Sequence, residues 1–377
     1  MTKVLIIQRT FEHYRIPVFS ELASREDIDL IVSFPYEGRK KSNYADVGLP
    51  YQHINLSVKN SKLPFIGEVF KYSNLFNVIS ESNPDVIIVE GNPRIVTLYK
   101  LFNFAKLNNY KIIAWTKFDN TAGFLKGKIW RHFLDKWDSI VCYGEVSRKE
   151  IIDMKFTDPK NVFVAQNTVE VDFTNHIEKQ MDIEIKKNVI PKFNTSSLKL
   201  VTLGTLVKKK KFDMVISAVN NLRLKGYDIQ LAIVGDGPER HRLESMVSSM
   251  NSQDIFFVGR VAYGDDHLWL KAADISIMGG AVGLAMNVSM SHGTPTIIPD
   301  EYGSDSELLI HDVNGIRFIP NSISSLESAI ESLISNDTFR NHIGKSAIST
   351  INKKARIPVM VDGLERVISN VSGGKQI

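Results

Sequence analysis

Short runs of Val, Ile and Leu recur along the first half of the chain, at KVLIIQ (3–8), LIVSF (30–34), VIIVEG (86–91), KIIAWT (111–116), SIVCYG (139–144) and VFVAQN (162–167). Each is continuously apolar rather than alternating, and the stretches between them carry helical spacing. That combination predicts parallel strands covered on both faces, an α/β domain over residues 1–175. The pattern then lapses into polar sequence over 176–197, which reads as a linker region. It restarts with LKLVTLG (198–204), IQLAIVG (229–235), IFFVGR (255–260), ISIM (275–278) and TPTIIPD (294–300), so a second α/β domain is expected over 198–348. Residues 349–377 look helical, with a terminal SGGKQI that should fray. Periodicity leaves open whether this last helix stays on the second domain or crosses to the first.

A length of 377 residues is more than one core uses well, in keeping with two domains. With 43% hydrophobic and 23% charged residues the composition is that of a soluble globular protein, and a net charge of +4 gives no reason to expect nucleic acid as a partner. The only cysteine, Cys142, lies in an apolar run and excludes a disulfide framework or a Cys-rich metal site. The apolar start MTKVLIIQRT is too short for a signal peptide, and no window reaches the length of a membrane span, so the chain is expected in the cytoplasm.

Candidate chemistry gathers at three strand-to-helix corners of the second half. LVTLGTLVKKKKFDMVISAV is a strand, a glycine turn, a Lys-rich loop and a helix, an arrangement that suits a diphosphate. Four successive lysines are equally read as a solvated loop. LAIVGDGPERHRLESM repeats the corner with Gly235 and Gly237, where glycine allows close backbone approach. The third, GGAVGLAMNVSMSHGTP (279–295), offers the amides of 280–284 to a phosphate; the alternative is a glycine-lined helix that simply packs tightly on the sheet. Strand-end placement favours a ligand, because open α/β sheets bind outside the carboxyl ends of their strands.

In sequence the series LGTLVKKKKFDMVISA, IQLAIVGDGPERHRLE, IFFVGRV, HLWLKAADISIM, GGAVGLAMNVSMSHGTPTII and GSDSELLIHDVNGIRF resembles the second domain of family 4 glycosyltransferases. HYRIPVFSELA, PDVIIVEGNPR and the YGEVSRKEI to VFVAQNTVEVD passage add support from the first half. The resemblance implies the GT-B fold, two Rossmann-like parallel-sheet domains facing each other across a cleft. It also implies a transferase that retains anomeric configuration, uses a nucleotide sugar such as a UDP- or GDP-sugar, and needs no metal or other cofactor. Lys210 falls where the family grips the donor diphosphate with a lysine, whereas Thr205 stands at the position of its arginine. The paired family glutamates are replaced by Gly280 and Val288, and GGAVGL is closer to a variant with a Pro-Gly-x-Val-Gly-Leu loop found among polysaccharide-building enzymes.

The donor-binding candidates that follow are Gly204, Thr205, Lys210, Gly235, Gly237, Gly280, Ala281, Val282, Gly283 and Leu284, with Asn287 or Glu307 replacing the missing ribose contact. The acceptor, a glycan or a lipid-linked sugar of a cell-surface polysaccharide, is expected on the first domain. Its strand ends supply His13 and Lys117 as candidate catalytic residues and Arg15, Glu90 and Arg94 as acceptor-side candidates. KNSKLPFIGEVFKYSNLF (59–76) interleaves Lys with apolar residues. It reads either as a segment lying on the inner face of the plasma membrane or as a helix packed on its own sheet. The absent glutamates and arginine also admit a catalytically inactive partner subunit of the same fold. A sugar-nucleotide epimerase is a further alternative.

Overall fold

The computed structural model describes residues 1–36, 48–63, 67–118, 124–171, 175–194, 196–262, 264–301, 303–304 and 306–373, with side chains of 124–128 and 175–177 left aside. The chain divides into two units, Met1–Glu170 with Ile357–Ile377, and Val171–Arg356.

The first unit is built on β1 (Thr2–Ile7), β2 (Ile28–Phe34), β3 (Gln52–Asn55), a hairpin of β4 (Val58–Leu63) and β5 (Gly67–Tyr72), then β6 (Val86–Glu90), β7 (Lys111–Thr116), β8 (Ser139–Cys142) and β9 (Val162–Val164). All but the hairpin join one sheet in the order β3-β2-β1-β6-β7-β8-β9, parallel throughout. Side chains alternate across a strand, so each continuous apolar run fills two cores at once. Leu5, Ile7, Ile87 and Val89 enter the core beneath the helices Leu75–Ser82 and Leu98–Asn108. Val4, Ile6, Val86 and Ile88 enter the opposite one. That second core is closed by the helix Ile16–Ala23 and by Met360, Val361, Leu364, Val367 and Ile368 of the helix Ile357–Ser372. The final helix lies so close that a Cβ on Gly363 would stand 2.3 Å from the Val164 carbonyl oxygen.

Residues 59–76 take a form different from the expected helix. Most of the segment is the antiparallel hairpin, paired from Val58↔Tyr72 to Leu63↔Gly67, and helix starts only at Leu75; residues 64–66 at its tip lie outside the described residues. Sequence alternation was obscured there by the lysines, which occupy both faces.

The second unit carries β10 (Leu198–Leu203), β11 (Ile229–Val234), β12 (Ile255–Gly259), β13 (Ile275–Ile277), β14 (Thr296–Pro299) and β15 (Ile316–Phe318). Their order, β12-β11-β10-β13-β14-β15, is parallel and doubly wound, and it reverses direction between β10 and β13. Residues 176–197, expected as a linker, are instead part of this unit. The helix Asn175–Glu184 runs on through Ile185–Val189 and Ile190–Lys192. Met181, Ile185 and Val189, four residues apart, are buried, and Phe193 packs against Trp269 with ring centroids 6.0 Å apart. At the other end, the helix Asp337–Lys354 remains in the second unit and Ile357–Ser372 in the first. Pro358 sits in the opening turn of the last helix, where its missing N–H leaves no bond unmade.

Candidate active site

The point where a doubly wound sheet reverses leaves a crevice at the carboxyl ends of the two strands beside it. In the second unit those strands are β10 and β13, and β11 flanks them. The loop after β10 therefore lies between the loops after β11 and β13, and both neighbours press their glycines against it. A Cβ on Gly235 would meet the Gly204 carbonyl oxygen at 2.0 Å, and one on Gly237 would meet Leu206 oxygen at 2.6 Å. Leu206 N–H donates to the Asp236 carbonyl and Glu239 N–H to the Leu206 carbonyl, each at 3.0 Å. From the other side, a Cβ on Gly279 would stand 2.5 Å from Lys211 oxygen and one on Gly280 2.2 Å from Lys209 oxygen. Ala281 N–H donates to that same Lys209 carbonyl at 2.9 Å.

What comes close to these glycines is thus the neighbouring loop of the protein itself. Of the two readings of 279–295, close packing accounts for Gly279 and Gly280, and the phosphate reading is narrowed. Gly280 is buried, and the Ala281 amide is already committed to Lys209. Gly283 differs. Its φ is +101°, and no atom lies within 4 Å of where its Cβ would be. The open part of the loop is therefore centred on Gly283, flanked by Val282 and Leu284.

The clamped loop carries the lysines. Lys208–Lys210 form a single 3-10 turn, and Lys211 adopts φ 50° before the helix Phe212–Leu224 begins. Lys208 and Lys209 are exposed, so the solvated-loop reading holds for those two. Lys210 folds back instead, its stem lying across Gly204: a Cβ there would be 2.8 Å from Nζ and 3.1 Å from Cε. The ammonium ends half-buried, 3.5 Å from the Val282 carbonyl oxygen. Burial, and secondarily the charge of Lys209, push its pKa below the usual lysine value. Among the described residues no carboxylate forms an ion pair with it. A half-buried cation lacking a protein counter-ion, beside an open glycine, is a site suited to an anion. Thr205, at the start of the same loop, is exposed.

Asn287 is buried on the short helix Ala285–Ser291. Glu307 is half-buried in the turn after β14, on the same edge of the sheet. Its neighbours Leu308 and Leu309 pack with Met278 and Met286, which ties this turn to the Gly283 loop. Arg317 Nη2 donates to the carbonyls of Ser306 (2.6 Å) and Leu309 (2.8 Å), while Asn314 Nδ2 donates to Leu308 (2.9 Å). The carbonyls on both sides of Glu307 are therefore held by two side chains that sequence reasoning missed.

The first unit has its own reversal, between β1 and β6. Glu90 ends β6 and meets Arg9, two residues past β1, with Nε 3.1 Å from Oε2. The Arg9 guanidinium lies 4.3 Å from the centroid of Phe70, and Asn92 Nδ2 donates to Glu90 Oε1 at 3.3 Å. Arg9 could have been foreseen, since adjacent parallel strands bring their ends together. Arg94 and Lys117 are exposed and His13 is half-buried on the turn His13–Arg15. Arg15, expected on the acceptor side, is corrected: it is 4% exposed, lies 4.8 Å from the Trp115 ring and 5.2 Å from that of Tyr143, and its Nη1 is 3.6 Å from Met360 Sδ. It is a packing residue beneath the last helix.

Among the described residues, no three or more His, Cys, Asp or Glu side chains cluster as metal ligands, and no helix is long and apolar enough to cross a membrane.

Residues 183–350 match the glycosyl transferases group 1 family. The match lies within the second unit and includes all three clamped loops. An uncharacterized glycosyltransferase of Methanocaldococcus jannaschii is 26% identical over 244 residues, 63% of this chain and 60% of that protein's length. HepE of Anabaena, solved with UDP, superposes with a TM-score of 0.75 at 13% identity over 98% of this chain and 100% of its own, and it has also been solved with UDP-glucose. Sucrose-phosphate synthase of Thermosynechococcus elongatus gives a TM-score of 0.74 at 12% identity, covering 99% and 100%. The fold is GT-B, two parallel-sheet α/β domains.

Proposed function

We propose that the chain is a family 4, retaining glycosyltransferase of the Pro-Gly-x-Val-Gly-Leu-like variant. It moves a sugar from a nucleotide donor to a glycan or lipid-linked acceptor in cell-surface polysaccharide biosynthesis (O-antigen, capsule or exopolysaccharide) at the cytoplasmic face of the membrane. The observation that carries the reading is Lys210, an ammonium held over Gly204 without a carboxylate partner among the described residues, at the reversal point of the second sheet. Bond cleavage at the anomeric carbon builds negative charge on the departing diphosphate. Lys210 neutralises that charge, and the main chain around Gly283 comes close enough to share it, so the scheme requires no metal. HepE, with UDP or UDP-glucose bound, supports a UDP-sugar as the first donor to test. Asn287 and Glu307 are the candidates for the ribose. Glu90, Arg94, His13 and Lys117 remain the polar candidates on the first unit for the acceptor.

The decisive experiment is calorimetry and turnover with a panel of UDP- and GDP-sugars, with and without lipid-linked acceptors. Binding with transfer supports the reading, and no heat from any donor with folded protein refutes it. A second reading, an inactive partner subunit of the same fold, draws on Thr205, Gly280 and Val288 standing where the family has arginine and glutamates. It predicts binding without turnover.

A further inference from the structure

The segment 94–96 extends the hairpin into a three-stranded ribbon. Phe70 N–H donates to the Arg94 carbonyl and Val96 N–H to the Phe70 carbonyl, both at 2.9 Å, which pairs Phe70 with Ile95. Paired residues share a face; at its base the face of Phe70 and Ile95 turns inward, with Ile95 and Tyr72 buried, while Asn60, Lys62 and Glu68 toward the hairpin tip are exposed. The opposite face presents Lys59, Leu63, Val69, Lys71, Arg94 and Val96. Lys59 stands directly across from Lys71, whereas the opposite-charge pair Lys62↔Glu68 belongs to the other face. Like charges placed directly opposite destabilise a ribbon. On this face Val96 lies on the strand beside Lys71 and is 45% exposed, and Leu63, across from Gly67 near the hairpin tip, is 42% exposed.

We propose that this outer face docks onto an anionic lipid bilayer. Its cations meet lipid phosphates, which relieves the Lys59–Lys71 repulsion, while Leu63 and Val96 enter the headgroup boundary. A soluble polyanion would engage the cations but leave the exposed apolar side chains in water. The inference rests on the membrane location in the function proposed above and is independent of the transfer chemistry, so protein that binds vesicles yet turns over no donor would sink only that chemistry.

The test is co-sedimentation of the full chain with vesicles of phosphatidylcholine alone and of phosphatidylcholine mixed with phosphatidylglycerol. Binding is expected only to the mixed vesicles and should weaken with salt. Lys59→Gln/Lys71→Gln should lower partition roughly 30-fold, from the known contribution of each basic residue near an anionic surface. Its melting temperature should not fall, since a repulsive pair has been removed, so lost binding is not misfolding. Leu63→Asn/Val96→Asn should reduce the binding that survives high salt. Equal partition on both vesicles, or a double lysine variant that binds like the parent, overturns the proposal. So does tight binding to heparin with Leu63→Asn/Val96→Asn having no effect on vesicles, which would assign the face to a polyanion.

Discussion

Replacing Gly280 by alanine tests whether the glycine clamp places Lys210. The new methyl would lie 2.2 Å from Lys209 oxygen and 3.0 Å from the Lys210 carbonyl carbon. Both are main-chain atoms, so no side chain can rotate out of the way. Non-bonded contact requires about 3.5 Å, so the lysine turn must retreat by roughly 1 Å. Overpacking of this kind costs about 1–3 kcal/mol, read as a lower urea midpoint. A displacement of about 1 Å in a positioned charge lowers turnover by roughly 100-fold. Gly226→Ala is the control. At φ +97° with no atom within 4 Å of its Cβ position, it adds strain and no clash; that strain is about 1–2 kcal/mol. Gly226 lies between the helix Phe212–Leu224 and β11, at the edge opposite the site. Two variants of comparable stability loss should then diverge in donor turnover. If Gly280→Ala keeps parental turnover, or if both variants lose activity alike, the clamp does not position the lysine.

Lys210→Met should weaken UDP binding by about 1.5–3 kcal/mol, the worth of a hydrogen bond to a charged group, with no loss of stability in urea because a half-buried charge is removed; unchanged calorimetry would remove Lys210 from the site. His267 Nδ1 and His292 Nε2 stand 3.0 Å apart in the second unit, and burial first, then His267 and Lys271, lower the His292 pKa from 6.5 to about 3. The native ring stays neutral where the unfolded one takes up a proton, so its stability contribution is complete above pH 6.5 and is lost as pH falls toward 3. At pH 5 the loss is about 2 kcal/mol, and His292→Gln should flatten that part of the pH–stability curve; an unchanged slope would refute the shift. Gly363→Ala would place a methyl 2.3 Å from Val164 oxygen and 2.7 Å from Ala165 Cα. Hydrogen exchange should show the helix Ile357–Ser372 loosened, and parental protection there would contradict the packing.

Strand positions were legible because parallel strands buried on two faces are apolar at nearly every residue, as the runs at 3–8, 86–91 and 229–235 are apart from an occasional polar residue such as Gln230. The glycines were legible as places of close approach, but a glycine says only that something is near. At Gly235, Gly237, Gly279 and Gly280 the near object is an adjacent loop, fixed by strand order, which no local pattern encodes. The stripe Met181, Ile185, Val189 was too narrow to stand out among Lys and Glu, so an ordered helix was read as a linker. Arg15 went astray for the opposite reason. Loops usually expose their charge, and only the tertiary meeting of Trp115, Tyr143 and Met360 makes a buried guanidinium acceptable.

Because residues 357–372 complete the core of the first unit, that unit cannot be finished while the ribosome is still making the second. Until then the apolar surface formed by Val4, Ile6, Phe19 and Leu22 lacks its cover. Through the whole synthesis of 171–356 this face of the sheet is covered only by the helix Ile16–Ala23. Transiently exposed apolar surface of this kind is aggregation-prone, so a chain stopped near residue 356 is expected to aggregate where the full chain folds.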